Sequence, residues 1–262
     1  MKKFVLAVAA LVSASGSAFA ADLAAPAYKA PPPAAPISSW TGCFIDGGVG
    51  YGLWKEDHHS ETYPGLAALS VTTTNGGSGW LGSVGAGCDY QVGSRFIIGA
   101  FGDFDFTDIH GAAGGIDAGF NLTGDEKERD AWGVGGRIGY LVTPSLLTYF
   151  DGGYTEARFD QINLNSGFPP MPTGLDIAAH TYHGWFIGGG AEYSLASIVP
   201  ISGLFWRTEY RYASYHADDL PLIVTATGAP FVSAEHMQPV VQTITTSLVW
   251  RFNFGGPLRT RD

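Results

Sequence analysis

From Trp40 onward, apolar and polar residues alternate with a period of two, not 3.6, the mark of strands with two unlike faces. Eight segments carry the pattern: WTGCFIDGGVGYG (40–52), GWLGSVGAGCDYQ (79–91), RFIIGAFGDFDF (95–106), AWGVGGRIGYLV (131–142), LLTYFDGGYTEA (146–157), HGWFIGGGAEYSL (183–195), LFWRTEYRYAS (204–214) and VQTITTSLVWRFNF (241–254). Each is long enough to cross a bilayer as a tilted strand, which takes ~9–11 residues. The connections alternate in length. The segments 53–78, 107–130, 158–182 and 215–240 are long, while 92–94, 143–145 and 196–203 are short. Short turns at one end and long loops at the other are the plan of an outer-membrane barrel.

Charge decides which face points where. Phe96, Ile98, Ala100, Phe104 and Phe106 share one face of their segment, against Arg95, Asp103 and Asp105 on the other. Arg137, Asp151, Glu192 and Arg251 each oppose a face of Trp, Tyr, Phe and Ile, and so do Arg207, Glu209 and Arg211. A basic side chain on the lipid face costs ~2–4 kcal/mol near the midplane, so the apolar face must point outward. The outward aromatics, Trp40, Tyr51, Trp80, Tyr90, Phe106, Trp132, Tyr140, Tyr193, Trp250 and Phe252, gather at the segment ends as interfacial girdles would. Glycines fill alternate inward positions (Gly48, Gly85, Gly99, Gly135, Gly188, Gly190) and make room in a narrow interior for the charges. The expected fold is all-β: an eight-stranded antiparallel up-and-down transmembrane β-barrel over 40–254, with both termini periplasmic. A soluble eight-stranded barrel would reverse the faces, and the charged face here is too sparse to coat a soluble exterior. Inside, Asp103, Asp105, Arg137, Asp151, Glu192, Arg207, Glu209, Arg211 and Arg251 should form a lumen charge network. Arg137 and Asp151, each five residues from the short turn between their segments, should pair.

The N-terminus gives the compartment. Lys2 and Lys3 precede the apolar run FVLAVAALV, and Ala18-Phe19-Ala20 offers a small-x-small cleavage site. That is a secretory signal over 1–20, cut between Ala20 and Ala21. The run is too short for a membrane helix. Residues 21–39 are rich in Pro and Ala and read as a periplasmic tether; residues 255–262 read as a C-terminal tail.

Composition narrows the chemistry. Charged residues are 15% of the chain and the net charge is -10, with no basic stripe for nucleic acid. Glycine, at 37 residues, argues against a helical bundle. The expectation is no enzyme: no catalytic residues, no cofactor and no metal ligands. A lipid hydrolase would need Ser, His and an acid near the rim; His58, His59, Ser60 and Glu61 offer these types, but in a long loop. All seven histidines fall at or beyond the outer strand ends, as polar loop residues or, where four loops converge, as a metal or pH-sensing site. A narrow diffusion pore is a further alternative, though paired charges should constrict so small a lumen. The loop stretches NGGSG (75–79) and GFPPMPTG (167–174) should be the exposed proteolysis sites.

The stretches WTGCFIDGGVGYG, GSVGAGCDYQ, GAFGDF, RIGY, GGGAEYSL, TEYRY and VWRFNF, in this order and spacing, resemble the alphaproteobacterial outer-membrane immunogenic proteins within the OmpA-like superfamily of eight-stranded barrels. The resemblance implies an abundant, antigenic surface protein of the cell outer membrane. It would contribute to envelope integrity and expose antigenic or adhesive loops. Its implied partners are outer-membrane lipids, lipopolysaccharide, an unidentified surface ligand and the barrel-assembly machinery, reached through the last strand. The chain departs from the family pattern at Phe101, where Glu is usual, and at Gly135, where Arg is usual. It also departs at Cys43 and Cys88, where aromatics are usual. Both cysteines should sit outward near the periplasmic rim, either bonded in that oxidising compartment or as two unpaired small hydrophobes, depending on the stagger of their strands.

Overall fold

The computed structural model describes residues 40–117 and 119–252. The expected signal segment with its Ala20–Ala21 junction, the expected tether 21–39, Phe254 and the expected tail 255–262 lie outside the described residues. The chain runs as β1 (Gly42–Thr62), β2 (Thr73–Val92), β3 (Phe96–Ile116), β4 (Leu122–Thr143), β5 (Leu146–Phe159), β6 (Ile162–Ser166), β7 (Met171–Ile177), β8 (His180–Ser194), β9 (Leu204–Tyr215), β10 (Asp218–Val224) and β11 (Ala229–Phe252). Eight of these, β1-β2-β3-β4-β5-β8-β9-β11, form an antiparallel ring closed by β1 against β11.

The strands continue well past the expected segments. β1 runs to Thr62, β3 to Ile116, and β2 begins at Thr73, so NGGSG (75–79) is strand and not loop. The expected long loops are therefore largely sheet. The alternation persists there with polar residues on both faces: Trp54, Glu56, His58 and Ser60 are buried, while Lys55 points out and Asp57 and His59 are part-exposed. A hydrophobicity pattern has no contrast to detect in such a stretch. The short strands β6, β7 and β10 widen this end, in the order β11-β10-β7-β6, and β6 returns to β4 through Thr123 and Asn165.

Around the ring runs a belt of exposed apolar side chains, among them Ile45, Val49, Val84, Ile98, Val134, Ile138, Phe150, Ile187 and Leu248. Tyr51, Trp80, Phe106, Tyr154 and Trp185 edge it on the long-strand side, and Tyr90, Phe96, Tyr140, Tyr193 and Trp250 on the short-turn side. An exposed belt of this kind fits contact with hydrocarbon and not water. Trp40 is a correction. It precedes β1 and turns into the barrel, 2% exposed, against Phe205 and donating its indole N–H to the Pro144 carbonyl at 3.1 Å. There it joins Phe44, Ile97, Leu141, Leu147, Tyr149 and Val249 in an apolar plug at the short-turn end. A larger apolar cluster, including Trp54, Ile109, Phe159, Tyr182 and Met237, fills the long-strand end. The charged layer lies between the two.

Candidate functional site

All nine expected lumen charges face inward, and seven of them, all but Asp105 and Asp151, pair with opposite charges at two levels. Nearer the short turns, fully buried Glu192 accepts from Arg251 Nε at 2.7 Å and Arg207 Nη2 at 3.2 Å, with Arg137 Nη1 at 3.6 Å. Asp89 accepts from Arg137 Nε at 2.8 Å and Arg251 Nη1 at 2.6 Å, and Asp46 from Arg207 at 3.0 Å. The Phe44 ring stands amid three guanidinium groups, at 4.5 Å from Arg137, 4.7 Å from Arg207 and 5.1 Å from Arg251, where the ring quadrupole attracts each cation. At the next level Arg211 grips both oxygens of Asp103 at 2.7 and 3.0 Å and also Glu209 at 3.0 Å, while Tyr149 donates to Glu209 at 2.7 Å.

The expected Arg137–Asp151 ion pair is not made. The two residues are direct cross-strand partners, so the register is as expected. Arg137 instead extends the other way, across Gly99, to Asp89. These three residues stand in one row over β4, β3 and β2, and a Cβ at Gly99 would strike the Asp89 carboxylate. Asp89, two strands away on β2, and Glu192, two strands away in the other direction on β8, both take the guanidinium in place of the direct neighbour. Asp151 and one oxygen of Asp105 are buried without a hydrogen-bond partner among the described residues. Asp46 and Asp89 were missed in the sequence, although their parity, opposite to outward Cys43 and Cys88, marks them as inward. Between the ion pairs lie separate polar cavities of ≈ 20 Å³ and ≈ 30 Å³, room for a water or two each.

Beyond the belt, the histidines and acids are arranged otherwise than expected. His58, His59, Ser60 and Glu61 lie in β1, not in a loop. Buried His58 holds Glu235 through Nδ1 at 3.1 Å, and its Nε2 meets Thr73 at 2.8 Å and Asn75 at 2.9 Å. The Ser60 hydroxyl donates to Glu235 at 2.6 Å, as does the Asp117 backbone N–H at 2.8 Å. Serine and histidine thus share an acid, and the serine hydroxyl gives its proton to the carboxylate, which is not the order a nucleophile and its base require. The cluster ties β1, β2, β11 and the end of β3 together. Below it, burial and then the Glu126 carboxyl hold Glu56 protonated far above the usual carboxylate range. Burial also raises Glu126 to about 7 and, with the Asp105 and Asp130 charges, Glu128 to about 8. On the outer wall, His180 meets Asp218 at 3.0 Å, His183 meets Glu156 at 3.1 Å, and His236 meets Asp219 at 2.5 Å. Cys43 and Cys88 stand directly opposite each other on β1 and β2, and their sulfurs are bonded.

No protein-family model matches the chain. The 31 kDa outer-membrane immunogenic protein of Brucella melitensis is 32% identical over 224 residues, covering 81% of this chain and 86% of that protein. The 25 kDa outer-membrane immunogenic protein of Brucella abortus is 27% identical over 217 residues, covering 82% and 85%. Among solved structures, the outer-membrane protein OprG of Pseudomonas aeruginosa shares the fold, with a TM-score of 0.52 at 13% identity over 81% of this chain and 97% of its own. A closed ring of eight strands, an outward apolar belt and these relatives agree: the chain belongs to the outer-membrane immunogenic proteins, barrels of the outer-membrane surface.

Proposed function

We propose that this barrel is a sealed structural element of the outer membrane that contributes to envelope integrity and displays its long-strand end to the outside. The layered ion pairs of the lumen carry the reading. Arg137, Arg207, Arg211 and Arg251 all close on buried acids of other strands, and the described cavities between them have room for a water or two each. This favours a structural role over nutrient diffusion. The Ser60 hydroxyl gives its proton to Glu235 and not to an imidazole, which weighs against a lipid-modifying enzyme, and the named relatives carry no enzyme name. In this orientation both termini face the periplasm, β11 engages the assembly machinery, and the belt meets lipid and lipopolysaccharide. A shallow apolar groove of ≈ 690 Å³ beside Phe150 and Tyr210, opened by Gly189, takes acyl chains.

A deletion strain tests the reading. Detergent and dye should enter faster than in the parent, with uptake of small solutes undiminished. Slower solute uptake with an intact envelope would favour the pore.

A further inference from the structure

Three adjacent strands bring metal-ligating side chains to one point on the outer wall, beyond the membrane belt. His59 of β1 is the direct partner of His236 of β11, and His236 is the direct partner of Asp219 of β10. Glu61 lies two residues past His59, diagonal to His236, a separation long side chains span. One ligand atom from each of Glu61, Asp219 and His236 lies within 4.8 Å of the others. His59 Nε2 is 2.9 Å from Glu61 Oε1, and the His59 and His236 ring centroids are 4.8 Å apart.

Glu61 adds an independent observation. It is 7% exposed, and its Oε2 is buried with no hydrogen-bond partner among the described residues. The chain after β1 folds back on it through a bridge between Glu61 and Ala68. Among the described residues the ion-pair partners of Glu61 and Asp219 are the two histidines, and no Lys or Arg joins them. Two carboxylates thus converge with no fixed cation among the described residues, one of them with a buried oxygen that no described protein group satisfies. Such an oxygen is expensive to bury, and a divalent ion would satisfy it.

We propose that Glu61, Asp219 and His236 bind a divalent transition metal of the zinc class, with His59 positioning Glu61. Imidazole beside carboxylate suits zinc, nickel or copper, whereas calcium and magnesium call for more oxygen ligands. Zinc bonds of ~2.0–2.2 Å set tetrahedral ligand atoms ~3.3–3.6 Å apart, within the present spread. His236 exchanges its hydrogen bond to Asp219 for a bond to the ion, any proton displaced passes to solvent, and water takes the fourth position. The hydrogen bond from His59 fixes the Glu61 carboxylate as outer partners fix metal ligands elsewhere. Bound metal would fasten β1, β11 and β10 together. His180–Asp218 and His183–Glu156 are simple pairs with no third metal-ligating side chain among the described residues and serve as comparisons.

The test uses the barrel refolded in detergent micelles, stripped with chelator and titrated with Zn²⁺ by calorimetry and with Co²⁺ by visible absorption. The expected result is one ion per barrel that excess Ca²⁺ or Mg²⁺ does not displace. His236→Ala and Asp219→Asn should each weaken binding by about tenfold or more, and His183→Ala should leave it unchanged. Heat-dependent gel mobility shows that each variant is folded, and exposed Asp219 is replaceable without disturbing the core. No saturable binding, equal competition by Ca²⁺, or undiminished binding in folded His236→Ala and Asp219→Asn would overturn the proposal.

Discussion

Arg137 of β4 reaches over Gly99 of β3 and clasps both oxygens of Asp89 on β2, two strands away. The Arg137 and Asp89 side chains are 2% and 0% exposed. Breaking a fully buried pair costs ~3–5 kcal/mol, and because Asp89 keeps Arg251 the lower end of that range applies here. Arg137→Ala should therefore lower unfolding stability in lipid vesicles by about that amount, measured by urea titration. Asp151→Asn, which removes an acid already without a hydrogen bond, should be neutral or stabilising. Equal losses in both variants would mean that the charged layer is held by diffuse field and not by these contacts.

How far the sequence led can be followed in the same residues. The inward placement of Arg137, Asp151 and their neighbours was legible, because period-two alternation with an apolar counterface permits a single register. Partner choice was not. A long guanidinium selects among acids on several strands, and an inward Gly99 is what opens the path to Asp89. The continuation of β1 through His58 and Glu61 was hidden for another reason: outside the membrane both faces of a strand carry polar groups. Trp40 was misassigned because it lies just before β1, where alternation has not begun.

The acids at the long-strand end make this part of the barrel pH-sensitive. Glu126 and Glu128 ordinarily release their protons near 4.5, but in the folded barrel they hold them to about 7 and about 8. Between those limits the folded state binds more protons than the unfolded one, so stability falls as pH rises. Local opening of β4 above Trp132, read by amide hydrogen exchange after correction for intrinsic rates, should increase from pH 5 to pH 8. Glu128→Gln should flatten that dependence and protect the segment at pH 8, by on the order of a few kcal/mol. An unchanged pH profile in Glu128→Gln would show that the titration lies elsewhere.

Protease should cut intact cells at the tips of the outer hairpins. Phe168, fully exposed in the β6–β7 turn, and the exposed turn at residues 63–65 after β1 are two such tips. Residues 75–79, Gly- and Ser-rich but paired with β1 and β3, should resist. Mass spectrometry of released peptides reads the sites. Cleavage first at 93–95 or 144–145 would place the short turns outside and invert the orientation proposed for the barrel.

The two cysteines give the last prediction. Cys43 and Cys88 face each other across β1 and β2 with no stagger, and the ladder continues from Gly42–Asp89 to His58–Thr73. Seventeen partner pairs fix this register, so the bond fastens strands the sheet already holds. The barrel should accordingly still fold with both cysteines replaced by Ser, and lose at most the ~4 kcal/mol that cross-linking residues 45 apart removes in entropy from the unfolded chain. Protein purified from outer membranes under alkylating, non-reducing conditions and then unfolded should take up no thiol label, and two labels per chain after reduction. Label before reduction would show that the two thiols remain free in the cell, each a small apolar side chain turned toward lipid.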